Sequence, residues 1–191
     1  MEKSGKHFHH GRSSRQILNP SKVLSAIGLK EGETFLDAGS GDGYMSIAAS
    51  SIVGENGKVY SIDIYEESMN NLINEIENQK IKNITPIVAD ISEKIPIENG
   101  IIDICYMANV LHGFVENKDV DEVMKEIIRI IKPKGIFTVV EFKKEDTAHG
   151  PPLNVRITPE EVKNIVENYD LTVKSIEDVG KYHYTVIASK K

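Results

Sequence analysis

"TFLDAGSGDGYMSIAASSIV", residues 34–53, reads as a short apolar strand, a turn with three glycines, and a helix rich in small and apolar residues. A strand passing into a helix through such a turn opens a strand–helix–strand unit, and the rest of the chain keeps that rhythm. "KVYSIDI" is a second strand, followed by "EESMNNLINEIENQK", whose Met69, Leu72, Ile73 and Ile76 share one helical face. "ITPIVAD" and "IIDICYMAN" are the third and fourth strands. "DVDEVMKEIIRII" is a helix ended by Pro133 and Gly135, and "GIFTVVEF" is the fifth strand. "TPEEVKNIVENY" opens with Thr158 three residues before Glu161, a capping box. "LTVKSIEDVG" and "YHYTVIAS" then follow without a helix between them, separated by Gly180 and Lys181, and read as a hairpin. Upstream, "NPSKVLSAIGL" is a helix capped by Asn19 or Ser21 and stopped by Gly28. Strand–helix alternation demands a mostly parallel sheet with helices on both faces, here with an antiparallel C-terminal hairpin.

The chain divides into a polar, basic, His-rich arm at residues 1–18 and one domain at 19–191. Lys and Arg number 23 against 29 Asp and Glu, a formal charge of −6 that argues against a duplex-binding face, so no nucleic-acid partner is expected. Cys105 is the only cysteine and sits in an apolar strand as a small hydrophobe. Residues 1–16 hold no apolar core of signal-peptide length and no stretch reaches the roughly 18 apolar residues of a membrane span. A cytoplasmic location without membrane contact is the expectation.

In an open parallel sheet, ligands bind beyond the carboxyl ends of the strands, where strand order reverses. Gly39, Gly41 and Gly43 stand there in the spacing G-x-G-x-G, with Tyr44 next. The dinucleotide fingerprint needs G-x-G-x-x-G, and a phosphate-gripping loop needs Lys followed by Ser or Thr; neither is present. Acids instead close successive strands: Asp37 before the glycines, Asp63 twenty residues beyond Gly43, and Asp90. Asp63 suits a ribose diol, or a cap for the helix that follows it; Asp90 suits an exocyclic amine beside the Ile91 amide, or a turn of its own. Asp42 reads as a turn residue. Three carboxylates favour a cationic or donor-rich ligand and repel a pyrophosphate.

"LDAGSGDG", "SIDI", "IVADI" and "MANVLHGF" resemble the successive motifs of class I S-adenosylmethionine-dependent methyltransferases, in particular small stand-alone enzymes related to the quinone-biosynthesis C-methyltransferases. The resemblance covers roughly residues 15 to 190, including "R…LNP" ahead of the domain. It implies a Rossmann-like seven-stranded sheet with the last strand antiparallel, S-adenosyl-L-methionine as cofactor, and in-line methyl transfer to a nucleophile. It also implies that Gly39 and Gly41 lie against the methionine moiety, Asp37 orients its amino end, and Asp63 holds the ribose hydroxyls. Ile64 and Ile91 would flank the adenine, Asp90 meet its amino group, and Asn109 approach the methionine part.

A methyl sulfonium is already electrophilic, so alignment and exclusion of water are the main tasks. His112, in "NVLHGF", is the candidate general base, its alternative a hydrogen bond to the loop backbone. Glu141, His149, Tyr182, His183 and Tyr184 are further candidates, with alternation placing both tyrosines on one strand face and His183 on the other. "KKEDTAHGPPLNVR" follows the fifth strand and can roof an acceptor, with Arg156 and Arg15 either binding an anionic acceptor or carrying solvated charge. His7, His9 and His10 suggest metal, but a bare tract offers no fixed geometry, and no metal site is assigned. Asn109 is followed by Val-Leu-His rather than the Pro-Pro of base and glutamine N-methyltransferases, and one cysteine is too few for arsenic methylation. A small-molecule acceptor remains. The rival readings are a non-catalytic S-adenosylmethionine-binding sensor or partner subunit, and a nucleotide-dependent oxidoreductase.

Overall fold

The computed structural model describes Arg15 and residues 17–191. The histidines at 7, 9 and 10 lie outside the described residues, as does most of the 1–18 arm. The elements run α1 (Pro20–Ala26), β1 (Thr34–Ala38), α2 (Tyr44–Val53), β2 (Lys58–Asp63), α3 (Glu66–Gln79), β3 (Ile84–Val88), β4 (Ile102–Ala108), α4 (Leu111–Asn117), α5 (Val120–Ile130), β5 (Ile131–Phe142), α6 (Pro159–Glu167), β6 (Leu171–Asp178) and β7 (His183–Lys190).

The strands form one seven-stranded sheet in the order β3-β2-β1-β4-β5-β7-β6. β3, β2, β1, β4 and β5 pair in parallel, while β7 pairs antiparallel with both β5 and β6. The final two strands are therefore the expected hairpin, with the later strand inserted inside the earlier one. Strand order reverses at β1, where β2 lies on one side and β4 on the other, so the glycine turn after β1 stands at the switch point.

Alternation along the strands divides the core in two. Phe35, Ile104, Tyr106 and Val140 pack with α1, α2 and α3, whereas Leu36, Cys105, Met107 and Val139 pack with α5 and α6. Cys105 is buried, as its apolar setting required. Asn19 caps α1 through its side chain, and Thr158 and Glu161 complete the capping box of α6.

Three local expectations change. The fifth strand begins earlier than the run from Gly135: α5 stops at Ile130, Ile131 is already extended, and Pro133 and Gly135 lie inside β5. Proline bars the residue before it from helical backbone, and a Cβ at Gly135 would stand 2.6 Å from Ile131 Cγ2. Residues 111–117, read as loop, form α4, a seven-residue helix containing Gly113 and lacking a side-chain cap, which leaves little local signal. Met69 and Leu72 of α3 are buried, but Ile73 is 39% exposed, on the margin of the buried stripe.

Candidate active site

The glycine turn is shaped by packing at its ends and open at its middle. All three glycines have positive φ. A Cβ at Gly39 would lie 2.5 Å from Val110 Cγ2 and one at Gly43 2.3 Å from Leu72 Cδ1, whereas one at Gly41 would meet nothing within 4 Å. The Gly39 and Ser40 amides donate to the Ile62 carbonyl, which ties the turn to the end of β2. Ser40 Oγ is buried without a hydrogen-bond partner among the described residues.

Asp37 and Asp63 flank this turn. Asp37 is 2% exposed and accepts a 2.6 Å hydrogen bond from Ser46 Oγ, which itself accepts one from Ser61 Oγ. Burial raises the Asp37 carboxyl to about 7; the Ser46 bond opposes the rise and the charge of Asp63 adds to it. Asp63 Oδ2 accepts from the Gly41 amide at 2.8 Å and Oδ1 from the Tyr65 amide at 3.0 Å. It thus braces the turn and holds the Tyr65 amide just ahead of α3, leaving each oxygen a second lone pair. Asp90 Oδ1 accepts from the amide and hydroxyl of Ser92, closing a turn beyond β3, with Ile91 buried behind it and Ile64 half-buried beyond β2.

Asn109 follows β4 with φ 57°, a left-handed conformation held by its amide on the Val140 carbonyl at 2.8 Å. Its Oδ1 is buried and without a partner among the described residues. His112, on α4, is gripped twice by Glu141 at the end of β5: the backbone amide donates to Oε1 at 3.1 Å and ring Nδ1 lies 2.8 Å from Oε2. Both side chains are almost fully buried. Burial would lower the His112 pKa, but the Glu141 hydrogen bond and charge prevail and the net shift is upward. Neither sequence reading of His112 included this carboxylate; Glu141 was a separate candidate, 29 residues away.

The two arginines read either as acceptor contacts or as solvated charge are both engaged within the fold. Arg15 Nε donates to Asp42 Oδ2 at 2.8 Å, and its guanidinium lies 5.0 Å over the Tyr44 ring, so it clasps the glycine turn. Arg156 is buried and donates to the carbonyls of Pro151, Lys143, Glu145 and His149, which ties the 143–156 loop together. Tyr184 Oη donates to the Ile157 carbonyl, while His183 faces the opposite layer, as alternation required. His149 packs edge-on against Tyr182. No group of three or more His, Cys, Asp or Glu side chains suited to a metal ion occurs among the described residues, and none of their helices is long and apolar enough to cross a membrane.

A family model described as "Methyltransferase domain" matches residues 29–189. A crystal structure of a SAM-dependent methyltransferase from Aquifex aeolicus is 33% identical, covers 95% of both chains and superposes with a TM-score of 0.85. The chain belongs to the class I S-adenosylmethionine-dependent methyltransferases. This methyltransferase is also 28% identical over 127 residues to the ubiquinone/menaquinone biosynthesis C-methyltransferase UbiE of Escherichia coli, a match covering 64% of the chain and 47% of that relative. The methyltransferase thus aligns with about half the length of the curated relatives it matches. A putative type 11 methyltransferase from Sulfolobus solfataricus, 23% identical with a TM-score of 0.73 over 92% of this chain and 94% of that one, shares the fold. The donor set fits the family's cofactor: two acids and two unpartnered oxygens, Ser40 Oγ and Asn109 Oδ1, surround an open turn.

Proposed function

We propose that this protein transfers a methyl group from S-adenosylmethionine to a small organic acceptor. When bound, the cofactor supplies a methyl carbon on a positively charged sulfur; the acceptor's lone pair forms the new bond as the carbon–sulfur bond breaks. The chain's part is to bind, align and exclude water. Asp63 accepts the ribose hydroxyls through its remaining lone pairs. Gly39, Gly41 and Gly43 bring backbone against the ligand, Asp37 and Asn109 meet the methionine end, and Ile64, Asp90 and Ile91 surround the adenine. His112 serves an acceptor that must lose a proton: Glu141 on Nδ1 keeps the proton there and makes Nε2 the basic nitrogen, while the carboxylate supports the cation formed.

The observation carrying this reading is the glycine turn at the switch point, open at Gly41 and flanked by Asp37 and Asp63. Titration calorimetry tests it: wild type binds S-adenosylmethionine, and Asp63→Ala weakens binding by about 1.5–3 kcal/mol, the range for hydrogen bonds to a charged group. Unchanged affinity in the variant rejects the ribose assignment. Labelled cofactor incubated with a cell extract separates an enzyme from a sensor, because only an enzyme moves label into a metabolite.

A further inference from the structure

At the end of the sheet away from the glycine turn, a cleft of about 460 Å³ opens between the segment after α1, the starts of β1 and β4, and residues 132–136 of β5. Small-molecule sites run from about 300 to 1,000 Å³. From Glu33 to Gly39 the chain advances about 20 Å at roughly 3.3 Å per residue, so this cleft is separate from the acids around the glycine turn. Its β5 wall is an irregularity in the ladder. Ile102 pairs with Ile131 and Ile104 with Ile136, so residues 132–135 bulge against the single position of Asp103. Lys134 within the bulge has φ 65°, uncommon for a residue with a side chain. Gly135 lets the bulge lie close to β4, where a Cβ would stand 3.1 Å from the Asp103 carbonyl oxygen. Bulges re-aim side chains and are over-represented beside active sites. On the facing wall a Cβ at Gly28 would meet nothing within 4 Å, which leaves the cleft open there.

The charged residues lining the cleft are Lys30, Lys132, Lys134, Glu33 and Asp103. Both acids are engaged within the fold. Asp103 accepts from Lys132 Nζ on each oxygen at 2.7 Å and from the Thr34 amide on Oδ2 at 2.9 Å. Glu33 Oε2 accepts from the Lys30 amide at 2.8 Å. The ammonium groups of Lys30 and Lys134 are exposed and have no ion-pair or hydrogen-bond partner among the described residues. With Lys132 neutralised by Asp103, two cations face the one charge of Glu33, a surplus of one positive charge. Ile27, Ile104 and Ile136 line the cleft beside them.

We propose that this cleft is a second ligand site and binds a small organic anion, with one carboxylate or phosphate group between Lys30 and Lys134 and a short apolar body against the isoleucines. A single anionic group matches the surplus charge, and lysine ammoniums, as point charges on flexible stems, accept either kind of oxyanion. The site stands at the opposite end of the sheet from methyl transfer and does not rest on that reading.

NMR titration of the full chain, isotopically labelled and saturated with S-adenosylhomocysteine, tests the proposal with hexanoate and phenyl phosphate as probes and hexylammonium and benzyl alcohol as controls. With at least one anion the amide signals of Gly28, Lys30 and Gly135 shift saturably, while those of Gly39, Gly41 and Gly43 stay fixed. That anion binds at least tenfold tighter than either control. The double variant Lys30→Gln with Lys134→Gln weakens it at least tenfold, and Lys174→Gln, on the exposed strand β6, changes it less than twofold. All three lysines are exposed, so the substitutions leave the fold in place. The proposal is overturned if neither anion shifts the cleft signals saturably, if the controls bind as tightly, or if the double variant binds as wild type does. An equal loss in Lys174→Gln also overturns it, because net charge rather than the cleft would then govern binding. A chain whose Gly39, Gly41 and Gly43 signals ignore S-adenosylhomocysteine rejects the methyltransferase reading, and the anion titration still decides this proposal by the same criteria.

Discussion

Replacing Asp37 by asparagine should make the stability of the ligand-free protein less dependent on pH. The carboxyl is 2% exposed, so solvent screening gives little relief. Its pKa rises from an ordinary 3.8 to about 7 on folding, because the buried site disfavours the charged form. A folded-state value above the unfolded one means that the contribution is fully present below 3.8 and is lost as pH rises through about 7. Each pH unit of that interval is worth about 1.4 kcal/mol, so the full loss is about 4 kcal/mol and the part between pH 5 and 8 about 3 kcal/mol. Asparagine keeps the acceptor for Ser46 Oγ and cannot ionise. Urea unfolding of wild type and Asp37→Asn at pH 5 and pH 8 measures the effect: the stability difference should move by about 3 kcal/mol in favour of the variant at the higher pH. Parallel pH profiles would refute the claim that Asp37 is strained by its own charge. A strained carboxylate beside Asp63 is also a reason for this rim to receive a cation.

The other expectations concern packing and the histidine pair. Gly43→Ala places a methyl 2.3 Å from Leu72 Cδ1 in a left-handed residue, and should cost about 1–3 kcal/mol in chemical denaturation; an unchanged midpoint would show that α3 yields freely. The raised His112 pKa means that the pair with Glu141 contributes fully at pH below the ordinary histidine range and loses its contribution as pH climbs through the raised value. NMR titration of the His112 ring should show an upward-shifted pKa that falls in Glu141→Gln, and identical values in the two proteins would remove Glu141 as the cause.

Much of the architecture was legible in order along the chain. Apolar runs of four to eight residues alternating with helical periodicity mark strands and helices because burial of one face demands that spacing, and Thr158 with Glu161 marks the start of α6 through chemistry confined to one turn. The glycine spacing and the acids at the strand ends were legible for the same reason: each depends on residues a few positions apart. α4 escaped notice because seven residues with an internal glycine and no cap carry too little periodicity.

Only the tertiary structure decided which distant residues meet. The insertion of β7 between β5 and β6, the clasp of Glu141 on His112, the Arg15 bond to Asp42 and the four carbonyls gathered by Arg156 all join positions with no local pattern linking them. The row of buried polar groups from Tyr106 to His183, without hydrogen-bond partners among the described residues, is of the same kind. Single threonines, a tyrosine and a histidine in three apolar strands carry no local signal, and only the hydrogen-bonded register sets Tyr106 beside Thr138 and His183 beside Phe142 within the core.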